Sequence, residues 1–219
     1  MAPTLRLYED ILANDAGEVT LAAAVRMLFV VHGTVAMEGN SFSDGETWHG
    51  DGAVAITSGQ KGVTCWRFEF VSSGAGDGAA VGRGVASRLL LSTAVDTLPQ
   101  GELLLRGDSV AFPPRGCAYL HRHQGPGIRC LIEGGIRIDT HGRSTSYGPG
   151  GAWFESGPDA VFAQGAHHRA TRFVRVMLLP RTLLGKSSIQ YVNEDDKSRP
   201  KSQSYQIFVD VPIARPLGT

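Results

Sequence analysis

The sequence predicts an all-β fold, a β-sandwich or barrel, arranged as two related β units in one chain. Apolar residues alternate with a period of two along nearly every apolar run. The stretches between the runs are rich in Gly, Pro, Ser, Asp and Asn, the turn formers of sandwiches and barrels. One half of the chain also echoes the other, which is the mark of a repeated unit.

In chain order, the alternating runs cover residues 5–12, 19–37, 65–71, 86–96, 102–112, 118–123, 128–139, 172–179 and 204–213. Each is read as strand. Helix is expected only near 10–14 or 181–186. Small residues dominate 72–84 and cannot bury enough surface to order themselves. That segment reads as a linker centred on 76–84, placing a first unit at 1–75, a second at 85–182, and an extension with a terminal strand at 183–219. In the echo, Arg26 matches Arg129, Leu28 matches Leu131, Gly33 matches Gly135 and Trp48 matches Trp153. The polar stretch 193–203 reads as a surface loop, and the strand after it needs a pairing edge, in its own chain or in a second copy. A homodimer is expected.

With 21 basic and 21 acidic side chains in 219 residues, the chain shows no charge excess of the kind that attracts nucleic acid. It contains no apolar run near the roughly 18 residues a membrane helix needs, and its start lacks the basic-then-apolar pattern of a secretory signal. A cytoplasmic protein is expected. Cys65, Cys117 and Cys130 are odd in number and scattered, which reads as reduced thiols. The Gly-rich stretches lack the strand-to-helix setting of a phosphate loop, and no Gly-x-Ser-x-Gly elbow or Cys–His pairing marks a hydrolase.

Five of the seven histidines lie between His121 and His168. On a strand, His121 and His123 share one face, about 7 Å apart along the backbone, and can converge on a single ion; the alternative is a pair of solvated imidazoles. Tyr119 has the same parity. Glu155 lies beside Trp153 and Phe154, where partial desolvation suits a base or a ligand; the alternative is an edge ion pair with an arginine. Arg129 can project inward and hold a carboxylate, or pair with an acid such as Glu133 or Glu69. His32, His49 and His141 stand apart, and His167 and His168 read as exposed turn residues.

Gly116, His121, His123 and Gly134, followed by the segment from Gly150 through Trp153 and Glu155 to Phe162, resemble the two motifs of the cupin superfamily. The resemblance implies a bicupin of two double-stranded β-helix (jelly-roll) barrels, whose N-terminal unit is degenerate and whose C-terminal unit keeps the His-x-His motif. It also implies a divalent transition metal (Fe, Mn, Zn or Ni) at His121 and His123, and oxygenase, lyase or isomerase chemistry on a small organic molecule. Two positions depart from the pattern: Gly127 stands where the motif glutamate belongs, and Val161 or Phe162 where the third histidine belongs. Gln164 shares the parity of Phe162 and is the candidate to complete the shell as a weak oxygen ligand. Glu155 and Tyr119 are the candidates to move a proton, and Arg129, Phe162 and Trp153 to contact substrate. The second reading is a non-catalytic cupin that binds a small ligand without a complete metal shell.

Overall fold

The computed structural model describes residues 2–216. The chain divides into two compact units, the first running to Asp96 and the second spanning Thr97–Arg215. No helix among the described residues is long and apolar enough to cross a membrane.

The first unit contains β1 (Thr4–Leu12), β2 (Val19–Leu21), β3 (Val25–Met37), β4 (Asn40–Ser43), β5 (Thr47–Gly50), β6 (Val54–Val71) and β7 (Val85–Ala94). They form one antiparallel sheet in the order β4-β3-β6-β1-β7, with β2 also on β6 and β5 also on β3. Leu12, Leu28, Val30, Val35, Ile56 and Cys65 fill its core. Strand β6 can run 18 residues because its two ends serve different partners. Val54–Ile56 pair with β2, and Val63–Val71 pair along β1.

The second unit holds β8 (Leu103–Phe112), β9 (Cys117–His123), β10 (Gly127–Glu133), β11 (Ile136–Thr140), β12 (Arg143–Tyr147), β13 (Ala152–Glu155), β14 (Val161–Gly165), β15 (Thr171–Pro180), β16 (Ile189–Tyr191) and β17 (Ser204–Ile213), with a short α1 (Glu194–Ser198). Two five-stranded antiparallel sheets result, in the orders β13-β10-β15-β8-β17 and β12-β11-β14-β9-β16. Val110, Phe112, Leu131, Ile138, Trp153, Val161 and Phe173 form one core cluster that draws on both sheets, so alternate residues of each face inward.

Several boundaries differ from expectation, each because long-range pairing outweighs local composition. The strand starting at 85 belongs to the first unit, since it pairs with β1 from Thr4↔Ala94 to Leu12↔Val85. The extension expected from 183 onward is no appendage as far as it is described, to 216: β16 pairs with β9, and β17 pairs with β8, while 217–219 lie outside the described residues. Linker residues lack strand but are tied down, as Arg6 donates to the Gly76 carbonyl and Arg67 to that of Gly78. Of the two expected helices, 10–14 is the end of β1 and a turn, and 181–186 contains only a 3₁₀ turn at Arg181–Leu183.

The echo also shifts by a residue. Gly33 (φ +91°) and Gly134 (φ +85°), rather than Gly135, share the left-handed conformation beside a register break. A Cβ there would come within 2.2 Å of the Gly62 carbonyl oxygen and 2.3 Å of that of Ala170, so only glycine fits. Trp48 sits opposite Leu28, whereas Trp153 sits opposite Arg129, so the two indoles occupy different registers.

Candidate metal centre

His121 and His123 project from β9 into the second unit, 5% and 6% exposed, with ring centroids 4.9 Å apart. The His121 Nδ1 lies 2.7 Å from the Tyr119 carbonyl oxygen. A carbonyl only accepts, so Nδ1 carries the proton and Nε2 keeps its lone pair. For His123, Nε2 lies 3.4 Å from an Arg175 guanidinium nitrogen, and Nδ1 lies 3.4 Å from Ser188 Oγ. A guanidinium only donates, so Nε2 is again the unprotonated nitrogen. Burial holds the His121 pKa below its ordinary value, with Glu155 opposing. Burial, then Arg175, His121 and Arg129, hold that of His123 well below. Both rings are neutral and present a lone pair.

The opposite sheet supplies the charges. Glu155 ends β13 directly across from Gly127 of β10. This answers the missing motif glutamate. A Cβ at 127 would meet the Val176 carbonyl oxygen at 2.4 Å, so that position takes no side chain, and the carboxylate arrives from the neighbouring strand. Glu155 Oε1 accepts the Trp153 indole N–H at 2.9 Å. Its Oε2 lies 2.8 Å from an Arg129 guanidinium nitrogen and 3.7 Å from His123 Nε2. Neither that oxygen nor that Arg129 nitrogen makes a directed hydrogen bond, although both are buried. They attract as charges without an aligned N–H. Arg129 spends another N–H on the Gly127 carbonyl, and burial pulls its pKa down to about 10, with Glu155 opposing, which leaves it cationic at neutral pH. Arg175 is clamped by Asp108 through two hydrogen bonds of 2.6 and 3.0 Å.

One donor atom from each of His121, His123 and Glu155 lies within 4.8 Å of the others. The cavity they line measures about 20 Å³, room for one water or one ion. Two neutral imidazoles, of which His123 would exchange its 3.4 Å contact with Arg175 for the ion, and a carboxylate oxygen lacking a directed hydrogen bond fit a divalent ion, and this donor set suits zinc, iron or manganese. Arg175, Ile189 and Tyr205 line this cavity and also a second one of about 200 Å³, which adds Lys186, Ser187, Ser188 and Ile207. Arg106 anchors the wall of that outer chamber, pairing with Asp210 and donating to the Leu183 and Lys186 carbonyls.

Trp153 and Arg129 therefore stand with Glu155 at the centre, as donors to or neighbours of its carboxylate. Tyr119, Phe162 and Gln164 do not. Strand β9 carries a bulge: His121 pairs with Val161 and Ala118 with Ala163, so Tyr119 and Leu120 together oppose the single residue Phe162. The extra residue reverses parity, and Ala118 rather than Tyr119 shares the histidine face. Tyr119 and Phe162 line a groove on the other side with Asn193 and Arg199. Gln164 is spent on the Arg115, Gly116 and Gly165 carbonyls. Neither alternative acid for Arg129 applies, since Glu133 pairs with Arg172 and Glu69 with arginines of its own unit. Arg175, Asp108 and Ser188 were not singled out from the sequence. The signal was available for two of them, as a charged residue inside an otherwise apolar strand.

No family model matches the sequence, and no curated protein matches it. Solved structures do. Oxalate decarboxylase from Bacillus subtilis, in a structure at pH 4.6, superposes with a TM-score of 0.63 at 10% identity, over 91% of this chain and 73% of that one. AerE from Microcystis aeruginosa superposes with a TM-score of 0.57 at 9% identity, over 81% of this chain and 88% of that one. The fold is a cupin fold. At such identities the likeness concerns the fold alone, and the chemistry of this cupin fold rests on its own side chains.

Proposed function

We propose that this chain is a metal-binding cupin protein that acts on a small carboxylate, with one divalent ion held by His121, His123 and Glu155. The observation that carries the reading is the convergence of three buried donor atoms within 4.8 Å around a one-ion cavity. A bound ion would supply Lewis-acid or dioxygen-binding chemistry, which places the reaction among oxygenase, lyase or isomerase types. The chain's own residues do the rest. The Tyr119 carbonyl fixes the His121 tautomer, while Trp153 and Arg129 hold the Glu155 carboxylate in place. Arg175 brings positive charge to the wall shared with the outer chamber, the side from which an anion would enter. The unit up to Asp96 is read as a degenerate copy of the second, supported by Gly33 and Arg26 standing where Gly134 and Arg129 do. A reducing cytoplasm is supported by three free thiols, and a homodimer by exposed Tyr205 and Ile207 on β17, which ends its sheet.

A second reading, a ligand-binding cupin without metal, is favoured by one observation: Arg175 already donates to His123 Nε2, where a ligating nitrogen must be free. Elemental analysis of purified protein beside His121→Ala and Glu155→Ala separates the two. Near one equivalent of a transition metal, lost in both variants, is expected. Metal that stays far below one equivalent after reloading would establish the binding module instead.

A further inference from the structure

The charges around the centre balance before any ion enters. Glu155 and Asp108 face Arg129 and Arg175, two negative charges against two positive ones. Each arginine is buried, Arg129 1% and Arg175 6% exposed, so neither charge is diluted by water. On the outer chamber Arg106 is neutralised by Asp210 and Arg175 by Asp108, which lines it too, so Lys186 is the further positive charge there. A divalent ion on His121, His123 and Glu155 would therefore leave two buried positive charges uncompensated, an arrangement that low-dielectric surroundings penalise heavily.

The inner cavity of about 20 Å³ holds an ion but no organic anion beside it. The outer chamber of about 200 Å³ does have room, and Arg175 forms the wall common to both. We infer that the centre binds its divalent ion and a small carboxylate cooperatively, because the guanidiniums of Arg129 and Arg175 make the ion's charge tolerable only with an anion in the adjoining chamber. This rests on the metal-binding reading above and adds a coupling between two ligands. Coupling of this kind is reciprocal: whatever factor the anion adds to metal affinity, the metal adds to anion affinity.

The test titrates the full chain calorimetrically with Mn²⁺, and again with Zn²⁺, in a buffer free of carboxylate and phosphate, with and without excess malonate. The metal–malonate blank is subtracted. Malonate is expected to tighten Mn²⁺ binding by about tenfold or more, within the usual range of coupled sites. The reverse titration, malonate into protein with and without Mn²⁺, must give the same factor. Arg129→Met, which removes one positive charge, is expected to bind Mn²⁺ alone more tightly than the parent and to lose most of the malonate effect; a merely structural role for Arg129 predicts weaker binding in both conditions. Equal metal affinity with and without malonate overturns the coupling while leaving the metal site standing. Absence of binding by either metal in either condition overturns both readings. Should Arg129→Met fail to fold, the paired titrations of the unaltered chain decide by themselves.

Discussion

The two units bury arginines at matching places on a central strand, Arg26 on β3 and Arg129 on β10, yet use them differently. In the first unit Arg26 pairs with Glu69 at 3.2 Å, Arg67 pairs with Glu69 and Asp10 at 2.6 Å each, and Arg6 closes on Glu69 at 2.8 Å. Both carboxylates are consumed. In the second unit the carboxylate beside Arg129 keeps an oxygen without a directed hydrogen bond, and both imidazoles line the same small cavity, His123 Nε2 meeting Arg175 at 3.4 Å. A buried arginine is thus no sign of a site by itself. What distinguishes the second unit is unspent bonding capacity in its partners.

The sharpest way to break this comparison is to remove one acid from each network. Asp10→Ala leaves Arg67 buried with two of its four hydrogen bonds gone and is expected to cost about 3–5 kcal/mol of stability in urea unfolding. Glu155→Gln retains the Trp153 contact and an amide oxygen facing Arg129 but leaves that buried guanidinium without a counter-charge, so a cost below that of Asp10→Ala is expected, together with loss of bound metal. Equal costs for the two substitutions would mean that the second network is as closed as the first.

A smaller effect follows from pH. Histidines in the unfolded chain take up protons below about pH 6.5, whereas His121 and His123 in the fold resist protonation to lower pH. The unfolded state therefore binds more protons in that window, and stability of the metal-free protein falls as pH drops from about 6.5 toward the folded pKa values. The slope is up to about 1.4 kcal/mol per pH unit for each histidine. Urea melts across that range, compared with His123→Asn, should show the parent curve steeper. The smallest expectation concerns Gln164: Gln164→Ala should leave metal content unchanged, since its amide faces backbone carbonyls away from the histidines.

The all-β architecture was legible because alternation with a period of two is local, and the shared face of His121 and His123 follows from the same period. Glu155 stood out through its apolar neighbours. What the sequence concealed depends on pairing between distant strands. Nothing local reveals that Gly127 lies across from Glu155, or that Val85–Ala94 joins β1 rather than the strands that follow it. Tyr119 was misplaced by a bulge with no residue signature, which reverses the parity of β9 on its far side, whereas Phe162 and Gln164 alternate on β14 with the inward Val161 and Ala163, a face that a lone strand does not declare.

That bulge reaches into the chemistry of the imidazole. In a regular ladder a strand carbonyl is taken by the next strand, but the residue added at a bulge is released from the ladder. Here the Tyr119 carbonyl accepts the His121 Nδ1 proton. The tautomer is written in the main chain, so any side chain at position 119 leaves it intact, and only a change in the number of residues between Ala118 and His121 would erase it.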